Sequence, residues 1–552
     1  MQSIPTLTRE LLARRGITDE EAMERFCFPD YGRDIFNPSL ILNMDRAVTR
    51  ILQAIREGER IVIYGDYDCD GIPGSVILHD FFAKIGYPAF KNYIPHRHHE
   101  GYGLNKTAIE NFAREKTELL ITVDCGITDV DEVLLAQSLD IDVIVTDHHL
   151  VGPTLPPAYA IINSKQEGDT YPDPMLCGAA VAFKLVCALI KTGKFTDISQ
   201  GWEKWLLDMA GLSTIADMVP LVNENRALAY FGLKVLRKSP RPGLHALLAE
   251  AKVDQTHLTE EDIGFTIGPR INAASRMDVP FRAFELLATR DVATAKERAR
   301  HLATLNDARK LEVARMTKEA KRLVGLRELR EVIVIGNPKW RVGVAGIVAN
   351  NLAEAFDRPA FVWGKEDSAH FKGSCRSDGR VNIVELMHAT REGIFLDKGG
   401  HEFSGGFSVE GEAIHFLEEA LCVAHKTIAK NEKNNGGVTP DSIQSLRSVN
   451  ESMYQAVNLL APFGIGNPKP IFQFTDVLLV RAELFGKERN HVKLIMRDED
   501  GFHKEAIAFF RTLESFPGVT LEAGARVTLL ATIEKSYFRS SGEIRLRIVD
   551  VQ

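Results

Sequence analysis

Asp66, Asp68 and Asp70 stand at alternate positions in Tyr64-Gly65-Asp66-Tyr67-Asp68-Cys69-Asp70-Gly71, directly after the apolar run Ile61-Val62-Ile63. Three carboxylates this close repel one another, and holding them ionised is costly without a cation. Taken alone, the cluster reads equally well as a solvated acidic turn. Further on, Asp124 follows an apolar run at 119–123, and Asp147-His148-His149 follows Val143-Ile144-Val145-Thr146. Carboxylate oxygens with one or two imidazoles suit Mn2+ or Mg2+ better than zinc, which favours sulfur and nitrogen. Two such ions about 3.5–4 Å apart would activate a water and stabilise the oxygens of an in-line displacement at phosphorus. The chemistry expected is phosphoester hydrolysis, with Mn2+ or Mg2+ as cofactor and two ions per site.

For these groups to meet, the elements before them must lie side by side. Five short apolar runs, at 61–64, 90–94, 119–123, 143–145 and, less clearly strand-like, 212–216, are each followed at once by polar or ionisable residues. Alternating with helical stretches, they predict a parallel sheet covered on both faces, whose sites form outside the carboxyl ends of the strands. Residues 281–324 contain neither Gly nor Pro and repeat Leu and Met at helical spacing, which predicts a long connecting helix. A second, smaller α/β unit follows, with strands at 332–335 and 360–363 around a helix at 347–356. The polar, turn-rich stretch 431–442 marks the next boundary, and five strands beyond it predict a small barrel or sandwich.

Composition narrows the class. A chain of 552 residues exceeds one hydrophobic core and predicts several domains. Seven cysteines without a Cys-x-x-Cys pair argue against a disulfide framework or a structural zinc site. No apolar run reaches bilayer length and the first residues lack signal-peptide character, so a cytoplasmic location is expected. A net charge of −8 requires any phosphate-binding surface to be local.

The motifs Asp-x-Asp-x-Asp-Gly at 66–71, Val123-Asp124-Cys125-Gly126, Thr146-Asp147-His148-His149 and Ile215-Ala216-Asp217 resemble the successive motifs of the DHH phosphoesterases. The resemblance implies metal ligation by Asp68, Asp70, Asp124, His148 and Asp217, with Asp124 bridging two ions. It implies action of His149 on the scissile phosphate, and orienting roles for Asp66 and Asp147. Residues 93–97 with 100–104, 268–277 and 305–309 resemble the RecJ branch of that superfamily, which makes Arg97 and Arg276 candidates for DNA phosphates. Gly343-Val344-Ala345-Gly346, Gly373-Ser374-Cys375-Arg376 and Gly399-Gly400-His401 resemble the accompanying DHHA1 domain, where Ser374, Arg376 and His401 would receive a 5′ phosphate. The C-terminal strands resemble the OB module of the branch, with Arg481, Lys487, Lys493, Tyr537 and Arg539 as unranked DNA contacts. Three departures stand out: Pro73, Ser275 beside Arg276, and Ser404-Gly405.

The fold class expected is therefore α/β multidomain: a lead segment 1–45, a parallel-sheet DHH catalytic domain 46–285, a connecting helix 286–325, a smaller α/β DHHA1 domain 326–435 and an OB-like β-barrel 436–552. The implied activity is metal-dependent 5′-to-3′ exonucleolysis of single-stranded DNA to mononucleotides, in DNA repair and recombination. A DHH phosphoesterase for short oligonucleotides or cyclic dinucleotides is the alternative. Single-stranded DNA with a 5′ end, a single-strand binding protein and a helicase are the implied partners, and a monomer is expected.

Overall fold

Alternating strand residues decide the N-terminal half of the chain. In the computed structural model, which describes residues 3–365, 370–428, 438–516, 518–537 and 542–552, five strands form one parallel sheet. They are β1 (Ile61–Gly65), β2 (Phe90–Tyr93), β3 (Leu119–Val123), β4 (Asp142–Thr146) and β5 (Ala160–Ile162), in the order β2-β1-β3-β4-β5. Successive residues of a strand face opposite sides. Ile61 and Ile63 join a core with the helices Gly71–Lys84 and Gly178–Gly193. Val62 and Tyr64 join another with Lys106–Arg114 and Val130–Ser138. Both faces are covered, which is why β1 and β3 are apolar and buried at nearly every position.

Two expectations are corrected here. Residues 212–216 are not a strand but the end of the helix Leu207–Ala216, and the fifth strand is Ala160–Ile162. Leu207 through Ile215 are all buried, so the helix shows no polar face whose spacing would reveal its period. The helix predicted over 281–324 is two helices, Phe281–Ala288 and Val292–Val324. Asp291 separates them by accepting the Thr294 backbone N–H, a cap that starts a new helix. The second helix, 33 residues long, extends about 50 Å at 1.5 Å per residue.

Its last turns bury Met316, Ala320 and Val324 against the smaller unit. There β6 (Ile333–Gly336), β7 (Ala360–Gly364), β8 (Phe371–Arg376), β9 (Asp397–His401) and β10 (Ser404–Val409) form a mixed sheet in the order β6-β7-β8-β10-β9. The third sheet contains β11 (Ser442–Ile443), β12 (Phe472–Phe485), β13 (His491–Arg497), β14 (His503–Ala508), β15 (Arg526–Ser536) and β16 (Glu543–Val551). Pairing of β12 with β15 closes β12–β16 into a five-stranded barrel. Residues 431–437 of the anticipated boundary, and Arg539, lie outside the described residues.

The N-terminal helices Thr6–Arg14 and Glu20–Cys27 bury Leu11, Leu12, Met23 and Cys27 in the barrel's core. Barrel and parallel-sheet half are locked together by Arg226. Its guanidinium donates to the carbonyls of Phe26 (2.8 Å), Leu459 (3.2 Å), Leu460 (2.8 Å) and Ala461 (3.0 Å). Lys469 pairs with Glu261 at 3.0 Å, and the Tyr537 and His257 rings stack at 3.8 Å. No helix of the described residues is long and apolar enough to cross a membrane.

Candidate metal centre and nucleic-acid cleft

The parallel ladder sets the level of the acidic groups. Asp66 N–H donates to Val123 O (3.0 Å), Asp124 N–H to Thr146 O (2.9 Å) and Asp147 N–H to Ile162 O (3.1 Å). Each carboxylate therefore begins one residue past its strand, at a common height along the sheet's carboxyl edge. Asp124 adopts a left-handed backbone, φ 63°, which turns the chain sharply as it leaves β3. Asp70 lies at the N-terminus of the helix Gly178–Gly193, where the Gly178 and Ala179 N–H groups donate to its oxygens at 2.6 and 2.7 Å. Asp217 arrives from the C-terminus of the helix Leu207–Ala216 rather than from a strand end.

His148 is the hub. Its Nε2 is 3.2 Å from Asp124 Oδ1, 3.6 Å from Asp70 Oδ2 and 3.7 Å from Asp217 Oδ2. Three overlapping groups have donor atoms within 4.8 Å of one another: Asp124 with His148 and His149, Asp70 with His148 and Asp217, and Asp66 with Asp68 and Asp124. Asp124 and His148 are each shared by two groups. The buried Oδ1 atoms of Asp66 and Asp124 have no hydrogen-bond partner among the described residues. Orphaned buried carboxylate oxygens of this kind are costly unless a cation completes them, so the donor set fits divalent metal.

The electrostatics agree. Burial, and then Asp70 and Asp68, push the Asp124 carboxyl far above the usual range, and burial with Asp68 does the same to Asp66. Burial and neighbouring carboxylates raise Asp70 to about 6 and Asp217 to about 9. Burial drives His148 down to about 3, keeping its imidazole neutral, as a metal ligand must be.

His149 is set differently. Its Nδ1 lies 2.8 Å from Asp147 Oδ1, and Asp147 also accepts the backbone N–H groups of Ile127, His148 and His149. Burial alone would raise Asp147, but the hydrogen bond from His149 and these N–H groups outweigh it and hold the carboxyl below its ordinary value. Burial also opposes the charge on His149, yet Asp147 raises it overall.

Across the cleft the smaller unit brings His401, whose ring is nearly parallel to that of His149 with centroids 6.2 Å apart. Arg276 sits in the helix Gly268–Met277 and donates to Gly343 O at 3.1 Å. Burial, then Arg97, Arg309 and Arg376, lower it to about 9, so four guanidinium groups share one region. Among the described residues none of the four makes an ion pair. Arg97 lies over the Tyr67 ring at 4.9 Å, and a Cβ on Gly346 would stand 3.0 Å from Arg376 Nη2 and 3.4 Å from Ser374 Cβ. Arginine cluster and acidic cluster meet where Asn272 Oδ1 accepts the Cys69 N–H at 2.9 Å. Ser275 causes no irregularity, lying buried inside the same helix as Arg276.

Four residues near these clusters had no assigned role. Tyr102 donates to Asp124 O at 3.2 Å, with its hydroxyl 3.1 Å from His149 Nδ1. Lys165 donates to His148 O, Asn163 donates to His149 O at 2.9 Å, and Arg309 joins the cationic group. Lys165 and Asn163 follow β5, the strand the sequence did not reveal. Tyr102 and Arg309 fall inside motifs whose spacing indicated no function.

Three family profiles match: the DHH family N-terminal domain over residues 60–214, the DHHA1 domain over 330–430 and the RecJ OB domain over 441–550. A Haemophilus influenzae protein described as single-stranded-DNA-specific exonuclease RecJ is 31% identical over 94% of this chain and 92% of its own length. The chain belongs to the RecJ family. A RecJ of Bacillus subtilis with the same description is 37% identical over 91% of this chain, which spans 63% of that relative. Among solved structures, Thermus thermophilus RecJ in complex with Mn2+ superposes with a TM-score of 0.80 and 26% identity, over 99% of this chain and 76% of that one. The RecJ architecture of DHH sheet, DHHA1 domain and closed OB barrel is thus the one seen here.

Proposed function

We propose that this chain is a metal-dependent exonuclease that removes mononucleotides from the 5′ end of single-stranded DNA. The observation that carries the reading is the juxtaposition of a buried carboxylate–imidazole cluster with an arginine cluster that forms no ion pair among the described residues. The first is suited to divalent cations and the second to a phosphate dianion.

Asp68, Asp70, Asp124, His148 and Asp217 would hold two ions, Mn2+ or Mg2+, and Asp66, whose carboxylate groups with those of Asp68 and Asp124, would orient them. Bound there, the ions supply Lewis acidity toward the scissile phosphate and the attacking water. Asp147 fixes the ring of His149 through Nδ1, leaving Nε2 to stabilise charge on the phosphate or to give a proton to the leaving oxygen. Arg97, Arg276, Arg376, Ser374 and His401 anchor the terminal phosphate, which places the first phosphodiester at the metals and sets the polarity. The barrel grips the strand behind it, Arg481, Lys487, Lys493 and Tyr537 being its candidate contacts. Repair and recombination are the setting, in the cytoplasm, with the enzyme as a monomer and a single-strand binding protein and a helicase as partners.

The test is digestion of a long 5′-labelled single strand with Mn2+, Mg2+ or chelator, beside a duplex and an Asp124→Asn variant. Early release of labelled mononucleotide, abolished by chelator, substitution or duplex, is expected. An intact long strand alongside hydrolysed dinucleotides or cyclic dinucleotides would replace this reading with the short-substrate one.

A further inference from the structure

A helical rod runs through residues 260–277, from the turn Glu260–Asp262 through the wide turn Ile263–Ile267 to the helix Gly268–Met277. At 1.5 Å per residue it is about 27 Å long. The barrel is docked at its first end, through the Glu261–Lys469 pair. Arg276 lies near its last end. Immediately past it, at Met277 and Asp278, opens a cavity of about 720 Å3 between the two α/β units. Its walls include His96 and His99 from the loop after β2, and Lys339, Arg341, Lys365 and Lys372 from the smaller unit.

The basin is strongly cationic. Its one carboxylate among the described residues is Asp278, which already accepts from His301 Nε2 at 2.7 Å. Among the described residues Lys339, Lys365 and Lys372 make no ion pair. The basin also adjoins the arginine cluster: His96 and His98 flank Arg97 in sequence, Met277 follows Arg276, and Arg341 donates to Met277 O at 3.3 Å. Gly343 fills the seam, where a Cβ would meet Arg276 O at 2.6 Å and His98 Cε1 at 2.7 Å.

We propose that this basin is a second phosphate-binding site, occupied by the nucleoside 5′-monophosphate after it has been cut from the strand. The assignment rests on the nuclease reading above. A strand that enters from the barrel and ends at Arg276 fills the way back. The freed mononucleotide then meets an occupied channel behind it and a cationic basin ahead. Lysines, as compact and strongly hydrated point charges, suit transient capture of a phosphate dianion better than the arginine forks that hold the substrate. The volume lies within the range of small-molecule sites, about 300–1,000 Å3.

The experiment uses the full chain with Mn2+, and compares it with a Lys339→Glu/Lys372→Glu variant and its Gln counterpart. Both lysines are exposed and far from the metal donors in sequence. Release of the first nucleotide in a single turnover should stay within about two-fold of the parent. Inhibition of digestion by added dTMP should weaken about ten-fold in the charge-reversed protein and less in the Gln protein, as expected for lost charge attraction. Equilibrium dialysis should find a second bound dTMP on the parent that the Glu variant lacks. Unchanged inhibition and stoichiometry would overturn the assignment. A defect confined to strands with a 5′ triphosphate, with dTMP inhibition intact, would also overturn it and give the basin to additional terminal phosphates. If the parent itself digests no single strand, the nuclease reading falls first and this one with it.

Discussion

At the scale of single residues the acidic cluster is an unstable arrangement that metal makes tolerable. Replacing Asp124 by Asn removes one of two shared donors while keeping a side chain that accepts the left-handed backbone at φ 63°. Hydrolysis should fall by at least about 10³-fold, since transition-state charge loses its cation support. The same variant should unfold at a higher temperature in chelator at neutral pH, because Asp124, raised far above the usual range, must take up a proton to be buried and Asn need not. The pH dependence has a definite sign. Asp70 and Asp217, raised to about 6 and about 9, bind protons in the folded chain that the unfolded chain, with ordinary carboxyls near pH 4, has released. In chelator, stability from these groups is complete below about pH 4 and declines as pH rises through both folded values. The rise in Tm on adding Mn2+ should therefore be larger at pH 8.5 than at pH 5, and an equal rise at both would contradict the metal assignment. Asp66, Asp124 and Asp147 stand out in the sequence because each directly follows an apolar run, whereas Asp70 and Asp217 are singled out by motifs that resemble those of the DHH phosphoesterases. Tyr102 and Lys165 were not legible, because a tyrosine or lysine in a loop has no spacing that separates a site residue from a surface one.

At the scale of elements, the ladder of β1, β3, β4 and β5 does the positioning, and the helix Gly178–Gly193 closes the site from below. Gly178 is the tight point. A Cβ there would stand 2.6 Å from Asp124 Cβ and 2.8 Å from its Oδ1. Gly178→Ala should cost about 1–3 kcal/mol of stability through overpacking. It should also weaken Mn2+ binding, measured by calorimetry, because Asp124 must move. Unchanged affinity would mean that the loop after β3 yields freely. β1, β3 and β4 were readable from short β-branched runs ending in carboxylates, whereas β5 was missed and the helix Leu207–Ala216 was misread. Enclosed on all sides, it carries apolar residues without a polar stripe, so nothing in its pattern distinguishes a buried helix from a buried strand. Asp217, singled out by its resemblance to a family motif, still lies beside Asp70 and His148, because a helix C-terminus can deliver a carboxylate to the crevice as well as a strand end can.

At the scale of the molecule, a chain of net charge −8 must hold a polyanion by geometry, and that depends on the barrel keeping one orientation toward the cleft. Arg226 is the device that does so. It is 3% exposed, and its guanidinium holds main-chain carbonyls in the N-terminal helical segment and in the segment that leads into the barrel. Burial lowers it to about 10, so it keeps its charge at neutral pH. Nothing in the sequence marks this arginine, since its partners are carbonyl oxygens more than 190 positions away. Arg226→Met preserves much of the buried volume but leaves those carbonyls without donors, a cost of roughly 1–3 kcal/mol for each group left unsatisfied. The barrel should loosen from the catalytic half while both cores persist. Digestion of a long single strand should then fall about ten-fold, chiefly through KM, because a floating barrel contributes less effective concentration at the cleft. Cleavage of a trinucleotide, too short to reach the barrel, should stay within about two-fold. Equal losses on both substrates would show that Arg226 supports the metal centre itself, and would move the origin of long-strand preference from the barrel into the cleft.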